Sequence, residues 1–483
     1  MLVKRRKSQM FFAWLMEKPA RMICFSFLFI DIIGVLLLVT PFVTNSGKSI
    51  GLFDALFTTV SATCVTGLVV RDTATTFNTF GRFVIIMLIQ VGGLGLVTIT
   101  TFFLSIIRRR VGLRTRVLAQ ESSGSFSFTE LPDLLRSILL ITISFELIGF
   151  VSFSTQFVPK FGWKTGLAKS GFLAISSFCN AGFDLMGDTA SGPFSSLTAY
   201  SDNPVVLMTT IFLVCFGGLG FIVWRDMIDF VYHRIQSFIR RDKSVKSTVH
   251  IRLHSRITIF ATITLIVVGT LLLLILEWNN KGDMAIGTLP IGDRLLAALF
   301  QSVSMRTAGF NSINLMSMHE GSKIICVVLM FIGAGSGSTG GGIKVTTFSL
   351  LFFSLFSDVK GSEDVVYSKH KIARTSVQRA TTIFTLGLSL MVLLSVILTI
   401  TEHAAIVDGK FQYIDMLFEA ASAFGTVGVT SASTASLSTL GQFFIIPVMF
   451  IGRVGPATFA ISLALRDEKP YSKVFPEGRI HIG

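Results

Sequence analysis

Charge is what this sequence has least of. Only 14% of its 483 residues are Asp, Glu, Lys or Arg, against about 25% in ordinary soluble domains. With 51% hydrophobic residues and a mean hydropathy of +0.70, that deficit excludes a soluble globular chain and implies a polytopic membrane protein. Cysteine is scarce too. Cys24, Cys64, Cys179, Cys215 and Cys326 lie in apolar segments without ligand spacing, which excludes a disulfide frame and leaves them as packing residues. The seven histidines are scattered, and no Ser-His-Asp, HExxH or paired-carboxylate arrangement occurs. An enzyme therefore has nothing to stand on. A cleavable signal peptide is also disfavoured, since residues 1–21 are mostly basic and polar and the apolar run after them is long enough to span.

The charge that is present is unbalanced, with a formal net of +14. Lys and Arg cluster at 4–7, at Arg108 to Arg110 with Arg114 and Arg116, across 225–256 and from Lys360 to Arg379. Pairs of apolar spans separate these clusters, so all fall on one side. That is the positive-inside pattern, with both termini cytoplasmic. Topology accounts for the excess and excludes the need for a nucleic-acid partner.

Stretches of about 20 apolar residues can cross the hydrocarbon core, whereas runs of 10 to 14 are re-entrant candidates. Eight full-length spans are expected near 22–42, 80–107, 134–158, 204–231, 256–278, 321–356, 380–400 and 440–465. Between the members of each pair lies a shorter segment, at 51–63, 166–178, 292–305 and 412–424, and each leads into a glycine motif. The motif glycines Gly67, Gly182, Gly309 and Gly428 are spaced by 115, 127 and 119 residues. Ten positions earlier stand Phe57, Phe172, Leu299 and Phe418. A near-fixed period of this kind marks an internal repeat. The expected fold is all-α, with four tandem span, pore helix, span units (22–107, 134–231, 256–356 and 380–465) around a single pseudo-four-fold pore. Residues 1–21 and 466–483 are expected as cytoplasmic ends.

Irregular backbone at membrane depth is tolerated only where protein buries it or where it lines a wet cavity. Four such segments around one axis would turn rings of backbone carbonyls inward, and such rings replace the hydration shell of a monovalent cation. The candidate filter is Val65-Thr66-Gly67, Asn180-Ala181-Gly182, Thr307-Ala308-Gly309 and Thr426-Val427-Gly428. The competing reading is four Gly-kinked loops joined by bundle packing. Gly92-Gly93-Leu94-Gly95 and Gly217-Gly218-Leu219-Gly220 read as close-packing sites between helices.

The sixth span is interrupted by Gly333, Ala334, Gly335, Ser336, Gly337, Ser338, Thr339, Gly340, Gly341 and Gly342, followed by Ile343-Lys344. Six glycines in ten residues do not hold a helix, at about 1 kcal/mol lost per interior Gly relative to Ala. A phosphate loop is excluded, because Lys344 follows Ile343 and precedes Val345, where the Walker pattern needs Gly-Lys-Ser/Thr. An unwound stretch below the filter would partly block the cytoplasmic half of a pore; a purely structural break is the alternative. Arg453, between Gly452 and Gly455 in the last span, reads as an electrostatic barrier that anchors this loop through its five donors, or else as a snorkelling surface arginine. Carboxylates gather on exterior segments, among them Asp54, Asp72, Asp188, Asp415 and Glu419. Asp184, two residues past its motif glycine, is the first candidate for a cation-concentrating vestibule. Asp31 and Glu146 lie inside spans, where pairing to a basic residue near the interface is one reading and the sequence selects no partner.

On these repeats and glycines the sequence resembles the Trk/Ktr/HKT superfamily of potassium and sodium translocating proteins, and most the bacterial KtrB-type subunit, from about Arg21 to Asp467. The resemblance implies one filter glycine per repeat, matching Gly67, Gly182, Gly309 and Gly428, with four glycines going with potassium and a first-repeat Ser with sodium-selective plant members. It implies an intramembrane gating loop at 333–342 and a pore-facing arginine at Arg453. The Trk type usually has two further N-terminal spans, which are not expected here. The resemblance also implies a homodimer and a cytosolic KtrA/TrkA-type regulatory ring. ATP/ADP or NAD(H) would sit on that partner, with no cofactor in this chain beyond transported K+ or Na+. The basic segments 232–256 and 360–379 are too short for a sensing domain of their own, and they and the C-terminal tail are candidate docking surfaces. The location implied is the bacterial plasma membrane. A secondary transporter by alternating access, translocating sodium or coupling it to potassium, is the alternative. Those folds usually pair two halves, where this chain has four parallel copies; a membrane enzyme or scaffold lacks any supporting constellation.

Overall fold

The computed structural model describes residues 19–95, 131–189, 191–240, 251–362 and 364–463. The basic clusters at 4–7, 108–116 and 241–250 and the C-terminal tail lie outside the described residues. Four long apolar helices open the four segments expected as repeats: α1 (Pro19–Leu38), α4 (Leu131–Phe161), α8 (Leu253–Glu277) and α12 (Arg374–Thr401). Their outer faces leave large apolar side chains exposed, such as Phe29, Leu36, Val151, Ile275 and Ile400. Helices apolar all round whose outward residues are not covered by protein are solvated by lipid.

A short helix follows each: α2 (Leu52–Thr63), α5 (Trp163–Phe178), α9 (Ile291–Ser304) and α13 (Tyr413–Gly425). Two of them, α2 and α13, are the most deeply buried. From Ala420 to Gly425 every residue of α13 is buried, and from Thr58 to Thr63 every residue of α2. The second helices are α3 (Thr79–Leu94), α6 (Pro204–Leu219), α10 (Glu320–Phe331) and α14 (Thr439–Val454). Asn78, Asn203 and Ser438 cap three of them through side-chain oxygens that accept from N–H groups of the first turn.

The expected spans 204–231 and 440–465 are not straight. α6 turns by 97° into α7 (Phe221–Arg240), and α14 turns by 98° into α15 (Pro456–Leu463). α3 ends at the same kind of residue. Gly95, Gly220 and Gly455 have φ of 79°, 99° and 96°, a left-handed conformation that stops a right-handed helix. Hydropathy counts apolar length and is blind to that stop. In the third repeat the break widens: α10 and α11 (Val345–Val359) are separated by residues 332–344. Among the described residues four helices are long and apolar enough to cross a membrane, or six if each bent pair is one span. The segment after α11, within the expected basic loop, carries a two-stranded hairpin, β1 (Val366–Tyr367) with β2 (His370–Lys371), the one sheet among the described residues.

Contacts run in a cycle. α3 packs on α5, α6 on α9, α10 on α13, and α14 returns to α2. Each second helix thus leans on the short helix of the next repeat, and the fourth closes on the first. A buried ion pair, Lys323 Nζ to Asp415 Oδ1 at 2.8 Å, locks the start of α10 to the start of α13. Lys323→Met strands that carboxylate, which costs about 3–5 kcal/mol. We expect a clear drop in the detergent-solubilised melting temperature, largely recovered in Lys323→Met/Asp415→Leu. No shift in the single variant would show that the pair is not a fastener.

Candidate functional site

The cycle of helices delivers the four glycine segments to one place. A Cβ built on Gly67 would lie 2.5 Å from the Ala181 carbonyl oxygen, and one on Gly182 would lie 2.9 Å from Cα of Gly309. A Cβ on Gly309 would run into the Val427 carbonyl, and one on Gly428 into the Thr66 carbonyl. The order 67, 182, 309, 428 and back to 67 is a closed ring of backbone in contact.

Each segment has the same bend. Val65, Asn180, Thr307 and Thr426 have φ of 55°, 58°, 71° and 50°, and the glycines two residues later have φ of 89°, 70°, 86° and 97°. Three of the four leading residues are β-branched, for which this region is an outlier. Such residues store about 1–3 kcal/mol each, and persist only where the surroundings over-determine them. Serines supply part of that. Ser61 O and Ser176 O accept from the N–H of Thr66 and Ala181 at 2.8 Å, and Ser422 O from Val427 at 2.9 Å. The Ser61 and Ser422 hydroxyls accept from the N–H of Gly67 and Gly428 at 3.1 and 3.0 Å. These serines sit six residues before their glycines in repeats one, two and four, a register visible in the sequence and overlooked there. With these amides tied back, the carbonyl oxygens of Ala181, Val427 and Thr66 lie against the glycines of the neighbouring segments.

The second helices support the ring from outside. Added Cβ atoms on Gly92, Gly217 and Gly452 would strike the carbonyls of Thr63, Phe178 and Phe424, at the C-terminal ends of α2, α5 and α13. The glycine patterns expected to allow close packing do so here, and Gly452 joins them.

Above the glycines is a cavity of about 70 Å³, lined by all four together with Asp184, Asn311 and Thr430. Asp184 Oδ1 accepts from the N–H of Met186 at 2.8 Å. Burial raises its pKa to about 6; the Met186 N–H lowers it, and neighbouring Asp72 raises it again. Four other exterior carboxylates have structural partners: Asp54 with Arg71, Asp188 with Lys169, Asp415 with Lys323, and Glu419 with Thr430 and Thr434. Within the spans, Asp31 meets the Thr63 hydroxyl and Glu146 the Gln90 amide at 2.9 Å. In place of basic partners stand a hydroxyl and an amide at the inner ends of the neighbouring elements.

Below the glycines lies the 332–344 loop. Thr339 Oγ1 donates to Phe178 O at 3.2 Å, and the N–H groups of Gly335 and Thr339 reach Gly218 O and Gly217 O at 2.8 and 3.3 Å. Gly340 and Gly341 lie so close to the hydroxyls of Thr307 and Thr426 that neither has room for a Cβ. Lys344 Nζ folds back on Gly340 O at 2.7 Å. The Arg453 guanidinium donates to Thr339 O with one nitrogen and to Gly92 O and Gly93 O with the other, the last at 3.2 Å. Sequence pointed to loop carbonyls for Arg453; the tie to α3 was hidden, because Gly92 is 361 residues away. Beneath the loop opens a second cavity of about 460 Å³, lined by Ser336, Gly337, Ser338, Gly340, Gly342, Lys344 and Arg453 among others. Water-accessible space therefore exists above the glycines and below the loop, with both constrictions between.

Lipid-facing helices around a central backbone constriction define a multi-pass membrane transport protein rather than an enzyme. Residues 17–473 match the TrkH family model, described as cation transport protein, and the chain belongs to that family, within the Trk/Ktr/HKT superfamily. It is 37% identical to Ktr system potassium uptake protein B of Bacillus subtilis, over 97% of this chain and 98% of that one. It is 37% identical to the potassium/sodium uptake protein NtpJ of Enterococcus hirae, over 96% and 97%. The crystal structure of the potassium transporter TrkH from Vibrio parahaemolyticus superposes with a TM-score of 0.65, covering 96% of this chain and 86% of that one at 17% identity. That last likeness is one of fold.

Proposed function

We propose that this chain carries potassium into a bacterial cell across its plasma membrane through a single pseudo-four-fold pore, with both termini in the cytoplasm. The filter is formed by Val65 to Gly67, Asn180 to Gly182, Thr307 to Gly309 and Thr426 to Gly428. The observation that carries this reading is the closed ring of the four glycine segments, bent alike. In such a ring carbonyl oxygens take over the coordination that water gives the ion. The four short helices end at the ring, so the negative ends of their dipoles favour a cation there. Inward movement is driven by the membrane potential, about 2.3 kcal/mol per charge per 100 mV. Potassium as the cargo follows the four-glycine pattern and the similarity to potassium uptake proteins.

The ion next meets the loop Gly333–Gly342, which acts as the gate. Its carbonyls at Thr339 and Gly340 accept from Arg453 and Lys344, so these side chains stand where a cation would be coordinated, and the Arg453 guanidinium opposes its passage. Opening requires those bonds to break. The energy for that comes from outside the chain, from a nucleotide-binding KtrA/TrkA-type ring beneath a homodimer, a reading that rests on family resemblance.

Reconstituted vesicles test the function directly: valinomycin-independent K+ uptake that exceeds Na+ uptake supports it, and equal uptake removes the filter assignment. Asp184 adds a pH signature. Its carboxyl is ionised above about 6 and neutral below, so the apparent KM for external K+ should rise as outside pH falls from 7 to 5. Asp184→Asn should show the higher KM at both pH values. A wild-type KM indifferent to pH would take Asp184 out of the vestibule.

A further inference from the structure

The bent helix α7 has an apolar face that no other described residue covers. Ile228, Val231, Tyr232 and Ile235 are 50%, 50%, 62% and 53% exposed. Their spacing of i, i+3, i+4 and i+7 makes one continuous stripe. Asp229 and Arg234 flank it on either side. Diametrically opposite, Asp226 is buried and bonded to Ser255 and Arg252 at the start of α8. The helix is therefore fixed by its polar side, with its apolar side turned away from the bundle.

Its direction says what covers that side. α6 packs along the long apolar helix α4, and α7 leaves it at 97°, close to a right angle to α6. The elbow is rigid: Trp224 stacks on Phe216 at 4.4 Å between centroids and donates its indole N–H to Phe216 O at 2.9 Å. A helix turned in this way, with an apolar stripe, a tyrosine and basic residues, has the composition of an interfacial membrane helix. In sequence it runs into Arg240, Arg241, Lys243 and Lys246, a charge complementary to anionic headgroups. At its root, the N–H of Phe221 donates to Gly337 O at 3.0 Å, inside the loop.

We propose that α7 binds the anionic phospholipid surface of the inner leaflet, and that this seating holds the Gly333–Gly342 loop through Phe221. The second half rests on the gate reading above; the first half does not. A nitroxide on Ile228→Cys, with the partly accessible Cys215 changed to Ser, should be relaxed by lipid-soluble oxygen more than by an aqueous nickel chelate in phosphatidylglycerol vesicles. The same label on Asp229→Cys should show the reverse. Nickel access at both positions overturns the seating. Protection of Ile228→Cys from both reagents also overturns it, since protein would then cover the stripe, either a second copy or another part of this chain. For the coupling, K+ uptake by the otherwise native chain should differ about fivefold between phosphatidylglycerol and phosphatidylcholine vesicles, the ratio equivalent to about 1 kcal/mol for one basic side chain at an anionic surface. Ile228→Ser/Val231→Ser/Ile235→Ser should erase the difference. A label seated in lipid with uptake indifferent to lipid overturns the coupling and leaves the seating.

Discussion

Gly67→Ser is expected to collapse the preference for K+ over Na+ in vesicle uptake while leaving a folded, membrane-inserted protein. The side chain has nowhere to go. Gly67 has φ of 89°, and its Cβ would stand 2.5 Å from a neighbouring backbone oxygen, at Ala181. Backbone does not rotate aside as a flexible side chain does, so the contact between the first and second segments must open. The hydroxyl then adds a ligand where the ring had none. A ring displaced at a cost of about 1–3 kcal/mol loses about fivefold to 150-fold in discrimination. Paired K+ and Na+ uptake measurements read the ratio directly. An unchanged ratio in the Ser variant would mean the ring does not select. Gly182, Gly309 and Gly428 repeat the constraint, so Ala at any of them should impair uptake as well.

Arg453→Ala is expected to raise resting K+ flux. The guanidinium spans three repeats: it belongs to α14, holds Thr339 in the third, and holds Gly92 and Gly93 in the first. Hydrogen bonds from a charged donor contribute about 1.5–3 kcal/mol each, so losing even one shifts a closed-to-open equilibrium by about tenfold or more. Removing the charge also lowers the barrier a cation meets below the ring. Arg453→Lys keeps the charge and loses the fork, because an ammonium is a point donor; its flux should fall between the two. Flux that is unchanged or lower in Arg453→Ala, at normal surface expression, would remove Arg453 from the gate.

The local elements were legible because their signals are local. The short segments at 51–63 and 412–424 coincide within a residue or two with α2 and α13, since a glycine motif and a length too small to span mark them from both sides. The unwound stretch between α10 and α11 was equally open to reading from six glycines. The elbows at Gly220 and Gly455 were not, because an apolar run reads the same whether straight or bent. Nor were the partners of Asp31 and Glu146. Their hydroxyl and amide come from other helices, and no spacing rule encodes a contact across 32 or 56 residues.

What the sequence by itself determined was the membrane environment and the spacing of the four glycines, both of which follow from composition and order along one chain. Only the tertiary structure decided that those glycines touch one another in a closed cycle, that Arg453 fastens the loop to the first repeat, and that α7 leaves the bundle sideways. The physical reason is that each of these depends on backbone direction at a few glycines and on contacts between residues a hundred or more positions apart, and neither is written in the order of side chains.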